Sequence, residues 1–128
     1  MLPAEEVATL AWHDPGRAAI LNWPGAGGVS DEDLLVLLQN RQAVLSLGWS
    51  PYMHNPKLLR ILHRVKLPTQ VIWGESDRVV DPEYGRAFQR AIPGARFELI
   101  PRAGHFPHWE QPEALAEVVS SFLVDSGL

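Results

Sequence analysis

Leu67-Pro68-Thr69-Gln70-Val71-Ile72-Trp73-Gly74-Glu75-Ser76-Asp77-Arg78-Val79-Val80-Asp81-Pro82 is the stretch on which the reading of this chain turns. Its first half is short, β-branched and aromatic, and it stops at a glycine, the pattern of a buried strand. Its second half is polar and irregular as far as Asp81-Pro82. There an aspartate suited to capping precedes a proline suited to the first turn of a helix. That helix is expected to run to about Ile92 and to stop at Pro93-Gly94. Residues 95–100 repeat the strand pattern, and residues 101–110 read as a loop. Gln111-Pro112 opens a last helix with Leu115, Val118, Val119, Phe122 and Leu123 on its apolar face. The order β-α-β-α predicts two parallel strands joined by a crossover helix, an α/β arrangement over residues 67–128.

Upstream, residues 1–66 read as helical and loop-rich. A short helix is expected over residues 3–14, with Val7, Leu10 and Ala11 on one side, and residues 17–23 suit a further turn. Residues 24–28 read as a flexible glycine-rich loop. Ser30-Asp31-Glu32-Asp33 is a helix start, because a serine can cap free amides and acids favour the positive dipole end. That helix is expected to reach Leu47 and stop at Gly48. Apolar residues nearly encircle its first half, so it calls for burial on more than one side, more than so small a core can cover. An aromatic, irregular loop follows, and Asn55-Pro56 then opens a short helix carrying Leu58, Leu59, Ile61 and Leu62 that ends near Val65.

Composition narrows the function classes. The chain has 128 residues, 46% hydrophobic and 20% charged, so it suits one globular domain rather than a disordered chain. Net charge is −4 and the basic residues form no block, which argues against nucleic-acid binding and against a polybasic membrane anchor. No apolar run reaches the ~20 residues of a membrane span. The N-terminus lacks a basic region before an apolar stretch, so no signal peptide is expected. The absence of cysteine removes disulfides, thiolate metal sites and a cysteine nucleophile, and it fits a cytoplasmic protein.

Chemistry concentrates in two loops, residues 73–82 and 101–112, each just past the C-terminal end of a strand, where open α/β sheets place ligands. Adjacent parallel strands bring the loops close enough for Asp77 and His105 to meet. An Asp–His pair is a general-base device: the carboxylate fixes the imidazole tautomer, and the far nitrogen takes a proton from a nucleophile or water. Asp81 is a rival acid, better explained as a helix N-cap. His105, His108 and Glu110 lack the third properly spaced ligand that a metal site needs, so no metal is expected. Glu110 reads as structural, near the start of the last helix.

From about Asn55 to Leu123 the chain resembles the C-terminal part of an α/β-hydrolase-fold enzyme. The strand ending in Trp-Gly-x-x-Asp matches the acid loop of that family, which implies Asp77 as the triad acid. Gly104-His105, followed by Glu110 and Pro112, matches the histidine loop and implies His105 as the triad base. Residues 1–66 are then a cap remnant and residues 67–128 the end of an incomplete core. The family's Gly-x-Ser-x-Gly nucleophile motif does not occur. The nearest candidate, Gly48-Trp49-Ser50-Pro51-Tyr52, has a bulky Tyr52 in a tight turn, and Pro51 removes an oxyanion-hole N–H.

The resemblance implies a hydrolase of ester or related bonds, its substrate a small molecule and no cofactor required. Trp49, Tyr52, Met53 and Phe106 are candidates for an apolar substrate pocket, although packing of cap on core explains them equally well. The nucleophile would come from a complementing N-terminal half. The alternative is a non-catalytic fragment or pseudoenzyme that self-associates as a homo-oligomer or binds a partner.

Overall fold

A computed structural model describes residues 4–17, 30–48 and 55–127 of the chain. Its centre is a sheet of two parallel strands, β1 (Gln70–Gly74) and β2 (Arg96–Ile100), in the register Gln70 to Arg96 through Gly74 to Ile100. Both strands therefore end at the same level, and the loops beyond them leave side by side.

The crossover is helix α3 (Pro82–Ala91). Asp81 caps it as expected: its Oδ1 accepts the Glu83 N–H at 2.8 Å, and Pro82 occupies the first turn. The Cβ alternation of a strand sends Trp73 and Phe97 to the α3 face. There the Trp73 and Tyr84 rings lie 6.4 Å apart, and the Arg86 guanidinium sits 4.4 Å over the Phe97 ring. The opposite face carries Arg96, which reaches α5 (Pro112–Asp125) through a 2.7 Å bond to Asp125 and lies 5.8 Å over Phe122. On α5 itself, Leu115, Val118 and Phe122 are half-buried, whereas Val119 and Leu123 remain exposed.

The N-terminal part departs more from expectation. Helix α1 (Ala4–Ala11) stops three residues early, because Trp12, His13 and Asp14 leave the helix to bond elsewhere. Helix α2 (Asp31–Gly48) is capped as expected, with Ser30 Oγ accepting the Asp33 N–H at 3.1 Å. Among its described side chains, Leu34, Leu35, Val36, Leu38, Val44, Leu45 and Leu47 are all exposed. The segment after Asn55 forms two 3-10 turns, Leu58–Arg60 and Leu62–Arg64, instead of one α-helix. So short a segment gains little from helix propagation, and tertiary packing decides its shape. Leu62 is its buried residue, packed with Ile92 and Ala95. A short helix α4 (Pro107–Glu110) interrupts the loop expected over residues 101–110.

Candidate functional site

The C-terminal ends of β1 and β2 are stitched together before either loop begins to turn. Glu75 N–H donates to the Ile100 carbonyl at 3.0 Å and Ser76 N–H to the Ala103 carbonyl at 2.8 Å. Glycine at 74 permits this approach, since a Cβ there would collide with the carbonyl oxygens of Ala103 and Gly104.

Asp77 emerges from the first loop with its side chain 4% exposed. Its Oδ1 accepts the Val79 and Val80 N–H groups at 2.9 and 3.0 Å. Its Oδ2 lies 3.0 Å from Nδ1 of His105. An ionised carboxylate only accepts, so the neutral imidazole donates from Nδ1 and leaves Nε2 as its free acceptor. The His105 side chain is 37% exposed, open to a reacting partner.

A cleft of about 160 Å³ adjoins the pair, walled by Ile72, Trp73 and Gly74 of β1 and by Gly104 and Pro107 of the second loop. Among the described residues no serine or threonine lines it, and none bonds the His105 ring. The neighbouring Ser76 hydroxyl is instead 2.8 Å from Nδ1 of His13. Trp49, Tyr52, Met53 and Ser50 lie outside the described residues. Phe106 is half-buried between the His105 ring at 5.2 Å and the Trp12 ring at 5.5 Å. His108 is exposed and packs on Phe106 and Trp109. Among the described residues no three His, Asp or Glu side chains are grouped to hold a metal ion.

One residue at the site has a place the sequence did not disclose. Glu110 is 3% exposed and its carboxylate accepts three backbone N–H groups. Oε2 takes Gly104 at 2.6 Å, and Oε1 takes His13 at 2.8 Å and Asp14 at 3.3 Å. The only hint in the sequence was an acid amid the aromatic and proline residues of Phe106–Pro112, where a solvated charge has little reason to be.

The chain is similar to known proteins over part of its length. The family model of the alpha/beta hydrolase fold matches residues 16–112. A 2-hydroxy-6-oxononadienedioate/2-hydroxy-6-oxononatrienedioate hydrolase of Paraburkholderia phymatum is 36% identical over 62 residues, 48% of this chain and 22% of that protein. The monoacylglycerol lipase ABHD6 of Homo sapiens is 32% identical over 62 residues, 48% of this chain and 18% of its own length. Among solved structures, a thermophilic esterase from Thermogutta terrifontis aligns with a TM-score of 0.53 and 35% identity over 56% of this chain and 26% of its own. An α/β hydrolase from the metagenome of Mar Chica lagoon sediments aligns with a TM-score of 0.61 and 27% identity, over 82% of this chain and 48% of its own. The matches thus cover about a fifth of those curated relatives and at most about half of those structures.

Proposed function

The chain belongs to the α/β-hydrolase fold family, and on that premise we propose that Asp77 and His105 are the acid–base part of a hydrolase site for ester or related bonds. The observation that carries this reading is the 3.0 Å contact of a buried carboxylate with an accessible imidazole, beside a cleft at the C-terminal ends of parallel strands. Asp77 holds the ring in the Nδ1–H tautomer and stabilises the imidazolium. Nε2 of His105 takes a proton from the attacking hydroxyl and returns it to the leaving group. Relatives named as a 2-hydroxy-6-oxononadienedioate hydrolase and a monoacylglycerol lipase, and a structure titled an esterase, support a small-molecule substrate.

No Gly-x-Ser-x-Gly occurs in the 128 residues, so the nucleophile comes from outside these residues, or His105 activates water directly. The second route lacks covalent catalysis and is the slower. No metal or organic cofactor enters either route. A cysteine-free sequence suits a cytoplasmic setting, and among the described residues no helix is long and apolar enough to cross a membrane.

Turnover of short p-nitrophenyl esters by the purified chain, set against His105→Ala, tests the proposal. A wild-type rate above that of the variant supports it. Equal rates leave the isolated chain non-catalytic, an assembling fragment, the reading favoured by the exposed leucines of α2.

A further inference from the structure

Each of residues 10–14 touches one or both loops of the site. Leu10 O accepts the Arg78 N–H at 3.1 Å, and Ala11 O accepts the His105 N–H at 2.6 Å. Trp12 O accepts from the Arg78 guanidinium at 3.3 Å, and the Trp12 ring packs on Phe106. The main-chain N–H groups of His13 and Asp14 both end on Glu110. Arg17 closes the set by donating from Nη1 to the Glu110 carbonyl at 3.0 Å.

Glu110 is where this segment and the histidine loop join. Its two oxygens divide between them, Oε1 toward His13 and Asp14 and Oε2 toward Gly104, the residue preceding His105. Among the described residues no cation pairs with the Glu110 carboxylate, so its burial is costly unless N–H groups satisfy it. Its three amides come from segments 96 and 97 positions away and from one six positions away. Neither segment alone satisfies both oxygens, so the docking of each supports that of the other. Gly104 is pressed against the segment too, since a Cβ there would collide with the Ala11 carbonyl.

We propose that Glu110 is a positioning residue for His105, one that couples docking of residues 10–14 to the orientation of the imidazole. The segment fixes the His105 main chain through the Ala11 carbonyl, and Glu110 fixes the residue before it. With two successive amides pinned, the ring has one approach to Asp77. Release of the segment frees both amides and lets the ring leave the carboxylate. The assignment rests on the reading of Asp77 and His105 as an acid–base pair, but its test reads the hydrogen bond and not turnover, so the two fail separately.

The experiment is nitrogen NMR of the His105 ring with amide hydrogen exchange, on the wild-type chain, Glu110→Ala and the milder Glu110→Gln. Glu110→Gln keeps the volume and one acceptor oxygen, and so retains a folded protein if the alanine variant does not fold. The expected wild-type signature is an Nδ1–H tautomer. In the variants it gives way to a mixture with Nε2–H, and exchange at His13, Asp14, Gly104 and His105 quickens together by about tenfold or more. A folded Glu110→Gln chain that keeps the Nδ1–H tautomer overturns the proposal, whatever its loss of stability. So does acceleration confined to one of the two segments.

Discussion

Oδ2 of Asp77 meets Nδ1 of His105 at 3.0 Å across 28 positions of sequence, while Oδ1 of the same carboxylate is spent on two amides of its own loop. The second arrangement enforces the first. Val79 and Val80 fix the carboxylate plane, so the remaining oxygen has one direction in which to accept, and the histidine loop lies there.

Replacing Asp77 therefore separates stability from tautomer. In Asp77→Asn the amide oxygen still satisfies the Val79 and Val80 N–H groups and the NH₂ faces His105. The expected loss is about 1 kcal/mol in chemical denaturation, with the ring driven to Nε2–H, visible by nitrogen NMR. Asp77→Ala leaves two part-buried amides without their acceptor and is expected to cost about 1–3 kcal/mol.

Asp81 provides the contrast, four positions along and also an aspartate. Its side chain serves the first turn of α3, and the carboxylate that meets His105 is that of Asp77. Asp81→Ala is expected to cost about 1 kcal/mol, the worth of an N-cap, with the His105 tautomer unchanged. A shift of the ring signals in this variant would place the acid at the wrong aspartate.

Those two aspartates show why part of the site was legible in sequence. Strand ends marked by Gly74 and Pro101, equal strand lengths and a capped crossover helix are local signals, and parallel pairing turns them into a juxtaposition. The work of Glu110 was not legible, because its partners are backbone amides, which every residue possesses. The segment 55–65 misled for a related reason: its apolar spacing suits an α-helix, but packing of Leu62 on Ile92 and Ala95 settles its conformation. On α2 the apolar pattern predicted the helix, and the exposure of its leucines follows from there being too little core to cover them. Pattern reports what a helix needs covered and says nothing of what covers it.

Gly104 is the most confined position at the junction. A methyl group there meets the carbonyl of Ala11 and the amide of His13, both backbone, so no side chain can swing aside. Gly104→Ala is expected to destabilise by about 1–3 kcal/mol, as overpacking does. The loss should reach α1, seen as faster amide exchange over residues 6–11. A stability equal to wild type would mean that the segment is not docked in solution.

The remaining prediction concerns association. β1 pairs with β2 on one side only, and among the described residues nothing pairs with its other edge. A two-stranded sheet is marginal alone, and an open edge offers unpaired N–H and C=O groups to another chain. Nearby in sequence, α2 exposes Leu34 and Leu38, one turn apart on one face, together with Leu35 and Leu45. Two such surfaces on one chain favour a second copy, expected to bury on the order of 1,000 Å² or more. Light scattering at micromolar concentration should give at least the dimer mass. Leu34→Glu with Leu38→Glu places two charges on the helix face and should shift the population toward monomer if α2 contributes. If the double variant stays associated while the wild type also associates, the contact runs through the β1 edge alone. A monodisperse wild-type monomer with a cooperative thermal transition would show that neither surface needs a partner.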